Sequence, residues 1–222
     1  FWDDGGNYLG ETYNDKSTLD EGDDVVVVAG LPTTADAALS AAGHITGTVT
    51  DATTGDPLAG IQISVNTTYI PDCECWDGTG GAETDENGVY DVVGLPTGEY
   101  LVSFCDPAGM YAPEIHQDRQ TNDWWDADPV PVTAEQGATV DADLAVGAHI
   151  LGTVTADGNG PLDQIDVHVY REESGEGRGV YGTRTGGNGG YDLTVALDVY
   201  KVEFWDHHQG IYIGEYYNDA AD

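Results

Sequence analysis

The chain has 222 residues, among them 41 Asp and Glu against 6 Lys and Arg, for a formal net charge of −35. Such a surface repels phosphate backbones, which are held by clustered Lys and Arg, so nucleic acid is excluded as a partner. No run approaches the roughly 18 apolar residues that would cross a bilayer, so no membrane insertion is expected of this segment.

An apolar content of 40% with 31 Gly, 9 Pro and 13 Tyr suits a turn-rich, all-β protein. The chain begins without Met and shows no signal peptide or lipidation motif, which reads as a mature end or a cut. Its opening phrase, FWDDGGNYLGETYND at residues 1–15, returns as FCDPAGMYAPEIHQD at residues 104–118 and as FWDHHQGIYIGEYYND at residues 204–219. Phe1, Phe104 and Phe204 are thus spaced by 103 and 100 residues. That period is domain-sized and too long for a solenoid unit, so an array of domains is expected. After the first phrase, NYLGETY, DDVVVVAG and TTADAALSAAG read as the closing strands of a partial repeat, residues 1–42.

Residues 43–147 read as a complete repeat. HITGTVTD and GIQISVNTTYI alternate apolar and polar residues, the period of half-buried strands, around a turn rich in Gly, Asp and Pro. In TDENGVYDVVGLPTGEYLVSF, Asn87-Gly88 marks a hairpin and Leu95-Pro96-Thr97-Gly98 a second corner. MYAPEI, PVPV and ATVDADLAV complete about eight short strands, and no stretch keeps a helical period. Residues 148–222 begin a further repeat at AHILGTVTADGNGPLDQIDVHVY and lack its last strands. Two explanations of these unfinished ends stay open: a window from a longer array, or strand donation between copies.

I-x-G-T-V-T at residues 45–50, G-x-P-L-x-G-I at 55–61, T-D-x-N-G-x-Y at 84–90 and G-L-P-x-G-x-Y-x-V at 94–102 together resemble the carboxypeptidase regulatory-like domains, which are prealbumin-like and related to collagen-adhesin B-type domains. The resemblance implies tandem Ig-like or prealbumin-like Greek-key β-sandwiches of secreted or surface proteins, not themselves catalytic. RTGGNGGYDL and VALDVYKV depart from the pattern in the last repeat.

The recurring acids are candidate calcium ligands, since calcium takes six to eight oxygens: Asp3, Glu11 and Asp15, then Asp106, Glu114 and Asp118, then Asp206, Glu215 and Asp219. The loop NDKSTLDEGDD adds Asp20 and Asp23, with Asn14, Glu21 and Asp24 beside them. Cys105 stands where Trp2 and Trp205 stand in the other copies, and a disulfide from Cys75, or alternatively Cys73, to Cys105 is expected in an oxidising compartment. Trp124 and Trp125 could stack on sugar rings, which makes surface glycans a candidate partner. Asn66 opens the sole N-glycosylation sequon. His44 and His149 sit at matching positions and suit packing or a joint between units. No catalytic motif is present. The expected function is a non-enzymatic extracellular or cell-surface stalk, adhesin or filament whose partner is itself, head to tail. The alternative is a calcium- or carbohydrate-binding accessory module of a secreted enzyme.

Overall fold

A computed structural model describes residues 1–70, 75–117, 119–120, 127–156, 159–171, 179–208 and 210–217. The middle of the chain forms ten strands: β1 (Gly43–Asp51), β2 (Gln62–Ile70), β3 (Cys75–Glu83), β4 (Val89–Leu95), β5 (Gly98–Cys105), β6 (Glu114–Ile115), β7 (Arg119–Gln120), β8 (Val130–Val132), β9 (Gly137–Thr139) and β10 (Ala142–Leu144). Two sheets result. In one, β1 runs antiparallel to β4 and, along its other edge, parallel to β9 and β10. The other has the order β3-β2-β5-β6-β7, with β8 also on β5.

The alternation read in the sequence decides what lies between these sheets. Ile45 and Val49 of β1, Tyr90 and Val92 of β4, and Val65, Val102 and Phe104 of the facing sheet are all buried. The late strands close this core, burying Val130, Val132, Val140, Ala142 and Leu144. Each Val, Ile, Leu or Phe among them contributes about 1.5–3 kcal/mol when fully buried. Gly88 takes φ +73° in the expected hairpin, a left-handed turn conformation that costs glycine nothing.

Eight further strands follow: β11 (Ala148–Thr153), β12 (Thr155–Ala156), β13 (Asn159–Pro161), β14 (Asp166–Arg171), β15 (Gly179–Arg184), β16 (Gly190–Val195), β17 (Tyr200–Trp205) and β18 (Glu215–Tyr216). They repeat the plan. Ile63 and Val65 face Phe104 and Val102 across β2 and β5, while Val167 and Val169 face Phe204 and Val202 across β14 and β17. β11 pairs with β16 as β1 pairs with β4. Among the described residues, however, nothing pairs with the other edge of β11. Ile150, Tyr191, Leu193, Tyr200 and Phe204 are accordingly only half-buried, where their middle-unit counterparts are buried.

Three expectations need correction. The ladders come to ten in the middle repeat, since its short late strands count separately. Residues 1–42 carry the closing-strand sequence but form no strand. They show isolated bridges at Tyr8–Ala41 and Thr12–Lys16, and one 3-10 turn at Leu19–Glu21, because the edges that β8 to β10 cover have no counterpart in residues 1–42. The bridge from Cys75 to Cys105 is not made. Cys105 is a free thiol, and it lies opposite Gln62 while Cys75 lies opposite Ile70, at the two ends of β2. Eight residues of strand separate them by roughly 26 Å, far beyond disulfide reach. Cys73 lies outside the described residues. Among the described residues no helix is long and apolar enough to cross a membrane.

Candidate functional site at the joints between repeats

The repeated phrase folds the same way each time. Phe1 and Glu11 exchange backbone hydrogen bonds of 2.8 and 3.1 Å, and Phe104 with Glu114 and Phe204 with Glu215 are antiparallel partners. Between each pair the chain turns around one Asp. Asp3 accepts from the N–H groups of Gly5 (3.0 Å), Asn7 (2.8 Å) and Tyr8 (3.0 Å). Asp106 accepts from Ala108 (2.8 Å), Met110 (2.8 Å) and Tyr111 (3.1 Å). Asp206, itself buried, accepts from Ile211 (2.9 Å) and Tyr212 (3.2 Å). Gly6, Gly109 and Gly210 supply the left-handed residue in each loop, at φ +67°, +74° and +60°. A short carboxylate followed by a left-handed glycine is a known way to satisfy turn N–H groups, and this is the signal the recurring Asp carried.

The first two loops then meet the next repeat. Ala42 N–H donates to the Asn7 carbonyl at 2.8 Å and Leu9 N–H to the Ser40 carbonyl at 2.8 Å. One repeat later, Gly147 N–H donates to the Met110 carbonyl at 2.9 Å and Ala112 N–H to the Ala145 carbonyl at 3.0 Å. The loop glycine also accepts from strand four of the following unit: Gly94 N–H reaches the Gly6 carbonyl at 3.0 Å, and the Thr194 hydroxyl reaches the Gly109 carbonyl at 2.9 Å. Beside each joint a His faces an Asp on the neighbouring strand, His44 with Asp91 at 3.4 Å and His149 with Asp192 at 2.8 Å. At its first two occurrences the phrase forms the joint between successive repeats.

Part of the charge on this scaffold works inside turns. The N–H groups of Gly5, Asn7 and Tyr8 hold the Asp3 carboxyl below its ordinary value. Thr54 and Thr53 N–H groups and the Tyr111 hydroxyl, at 2.9 Å, do the same for Asp51, and Val89 and Asn87 N–H groups for Asp85. Carrying that hydrogen bond to Asp51 raises the Tyr111 hydroxyl in turn.

The remaining candidates scatter. Asn14 donates to Asp23 at 2.6 Å and Ser17 to Glu21 at 3.0 Å, Asp15 sits in a left-handed turn, and Asp20 in the 3-10 turn. Among the described residues no three His, Cys, Asp or Glu side chains gather around a metal-sized space. Asp118, Asp219, Trp124 and Trp125 lie outside the described residues. Asn66 is half-buried in β2, between β3 and β5, a poor place for a glycan.

Residues 44–145 match the family model of the carboxypeptidase regulatory-like domain. The match spans the middle unit from end to end. Its first strand begins at the joint and its last strand leads into the next one, so both ends of the domain are occupied by the repeated loop. No protein of curated function matches the chain by sequence. Solved structures similar to it include the TIE protein of Bacillus anthracis (18% identity, 78% of this chain and 31% of that one, TM-score 0.33). A streptococcal ancillary pilin (17%, 75% and 54%, TM-score 0.33) and the shaft pilin SpaA of Lactobacillus rhamnosus GG (11%, 80% and 93%, TM-score 0.29) are also similar. The chain spans about a third of the first and about half of the second. Superpositions this loose carry no function across.

Proposed function

We propose that this chain is a non-enzymatic structural protein of the cell surface or extracellular space, a stalk, adhesin or filament of β-sandwiches set head to tail. The observation that carries the reading is the joint. Two successive joints use the same loop, the same capping Asp and equivalent backbone hydrogen bonds, so each unit is fixed on the last by a repeated, directional contact. A repeated head-to-tail contact that does not close on itself builds a line of units. The carboxypeptidase regulatory-like match supports a non-catalytic module, and the net charge of −35 keeps such a line soluble and self-repelling sideways. Antibody labelling and protease shaving of intact cells test it. Label and cleavage on unbroken cells support the reading, and a chain reached only after lysis overturns it.

Calcium is a separate proposal, confined to residues 14–24, because the carboxylates of Asp3, Asp106 and Asp206 already hold loop N–H groups. A calcium-dependent rise in Tm that Asp23→Asn removes supports it, and no rise sinks it.

A further inference from the structure

The third unit carries a row of side chains that the middle unit lacks. Arg184, Asp166 and Trp205 stand directly opposite one another across β15, β14 and β17. The same row across β3, β2 and β5 of the middle unit is Glu83, Gln62 and Cys105. Those three are exposed in a unit whose two sheets are both closed, so this row faces outward in a finished unit as well. The fold therefore asks for none of the three residues found in the third unit.

Asp166 is the odd member of its row. Its counterpart Gln62 is exposed, whereas the Asp166 side chain is only 10% exposed. Both contacts from Arg184, by Nε and Nη2 at 2.8 Å, go to Oδ1. Oδ2 is buried and receives no hydrogen bond among the described residues, and Nδ1 of His207 stands 3.9 Å from it, too far for one. A buried carboxylate oxygen without a donor is costly, so a group that brings it a hydrogen is held there.

The adjoining surface is flat and apolar. The Trp205 indole is 46% exposed. Gly214 lies along it, where an added Cβ would be 3.7 Å from the ring, and the His207 imidazole meets it at 63° with centroids 5.0 Å apart. These neighbours hold the indole in place, and Asp166 is its cross-strand partner at about 5 Å.

A ligand here has to suit both features. A metal ion or an ammonium group would sit against the Arg184 guanidinium, which already balances the Asp166 charge. An anion would approach a chain of net charge −35. A neutral ring with hydroxyl donors at its edge and an apolar C–H face meets neither obstacle. A pyranose lays that face on the indole and turns a hydroxyl to Oδ2, while the half-exposed guanidinium has N–H groups beyond those that Asp166 takes.

We propose that Arg184, Asp166, Trp205 and His207 form a binding site for a neutral hexopyranose of a glycan. The site goes beyond the structural reading and does not rest on it. It also stands apart from Trp124 and Trp125.

The test titrates the isotope-labelled full chain with neutral hexasaccharides of glucose, mannose, galactose and N-acetylglucosamine. At least one sugar is expected to shift the Trp205 indole N–H and the Arg184 and Asp166 amides saturably, leaving those of Gln62, Glu83 and Cys105 in place. By calorimetry, Trp205→Ser is expected to weaken binding at least tenfold, and His207→Ala, at an exposed loop position, at least threefold. Trp124→Ala with Trp125→Ala should leave it unchanged. No shift at Trp205 with any of the sugars at millimolar concentration overturns the proposal, as does full affinity in Trp205→Ser or in His207→Ala. So does a saturable response of the same resonances to zinc and to no sugar. Either result leaves the cell-surface labelling untouched.

Discussion

The Tyr90 hydroxyl donates to the Val140 carbonyl at 2.6 Å, across the strand position that Gly47 leaves bare. Burial, and then the charge of Asp141, push this hydroxyl well above its ordinary value, which favours its protonated, donating form. Tyr90→Phe leaves a buried carbonyl without that donor and is expected to cost about 1–3 kcal/mol. Gly47→Ala forces the closing segment off β1 at a cost of about 1–3 kcal/mol or more. Tyr191→Phe is expected to change the melting of the dilute chain little. Urea titration of the three variants checks this, and equal losses from Tyr90→Phe and Tyr191→Phe in dilute chain would contradict it.

Asp106→Ala removes the acceptor for three loop N–H groups at once. The expected loss is about 1–3 kcal/mol, with the joint to the third unit loosened because Met110 and Gly109 carry its hydrogen bonds. Calorimetry reads the first effect, and faster amide exchange at Ala112 and Gly147 reads the second.

Acid should weaken the chain through its turns. Asp3, Asp51 and Asp85 have folded-state pKa values lowered by N–H donors, so the stability they add is fully present above the ordinary value of 3.8. It is lost progressively as pH falls past that value and through the lowered ones. The urea midpoint measured from pH 6 downward should therefore fall most steeply below about pH 4. Asp85→Asn, which cannot titrate, should flatten that limb, and an unchanged slope would remove the caps as its cause.

Arg184 is one of six cations in the chain and covers the buried carboxylate of Asp166 with two contacts of 2.8 Å. Arg184→Met strands that charge, with His207 lying 3.9 Å from its other oxygen. The expected cost is about 1–3 kcal/mol, below that of a fully buried pair because the guanidinium is partly solvated. It should appear in the third unit alone, as early loss of protection at Val167 and Val169 in hydrogen exchange.

The strands of the middle unit were legible because Ile45, Val49, Ile61, Ile63 and Val65 alternate, and the corner at Leu95 to Gly98 falls where β4 ends and β5 begins. The phrase around Phe1, Phe104 and Phe204 was legible as a repeat but not as a joint. Its Asp residues looked like metal ligands, since a carboxylate capping N–H groups and one awaiting calcium are the same letter. The disulfide failed for a similar reason. Only the ladder shows that Cys75 and Cys105 sit at opposite ends of β2, a register no spacing reveals. Residues 25–39 carried the pattern of closing strands without an edge to close on, because pattern specifies a strand's faces and not its partner.

Hydrogen exchange at the Ala42 and Gly147 amides tests the repeated joint most directly. These amides donate to the preceding loops, to the Asn7 carbonyl at 2.8 Å and the Met110 carbonyl at 2.9 Å, and both should exchange slowly. Asp3→Ala is expected to speed exchange at Ala42 alone, and Asp106→Ala at Gly147 alone. Fast exchange at both amides in the unaltered chain, with core amides such as Val65 still protected, would contradict the repeated joint.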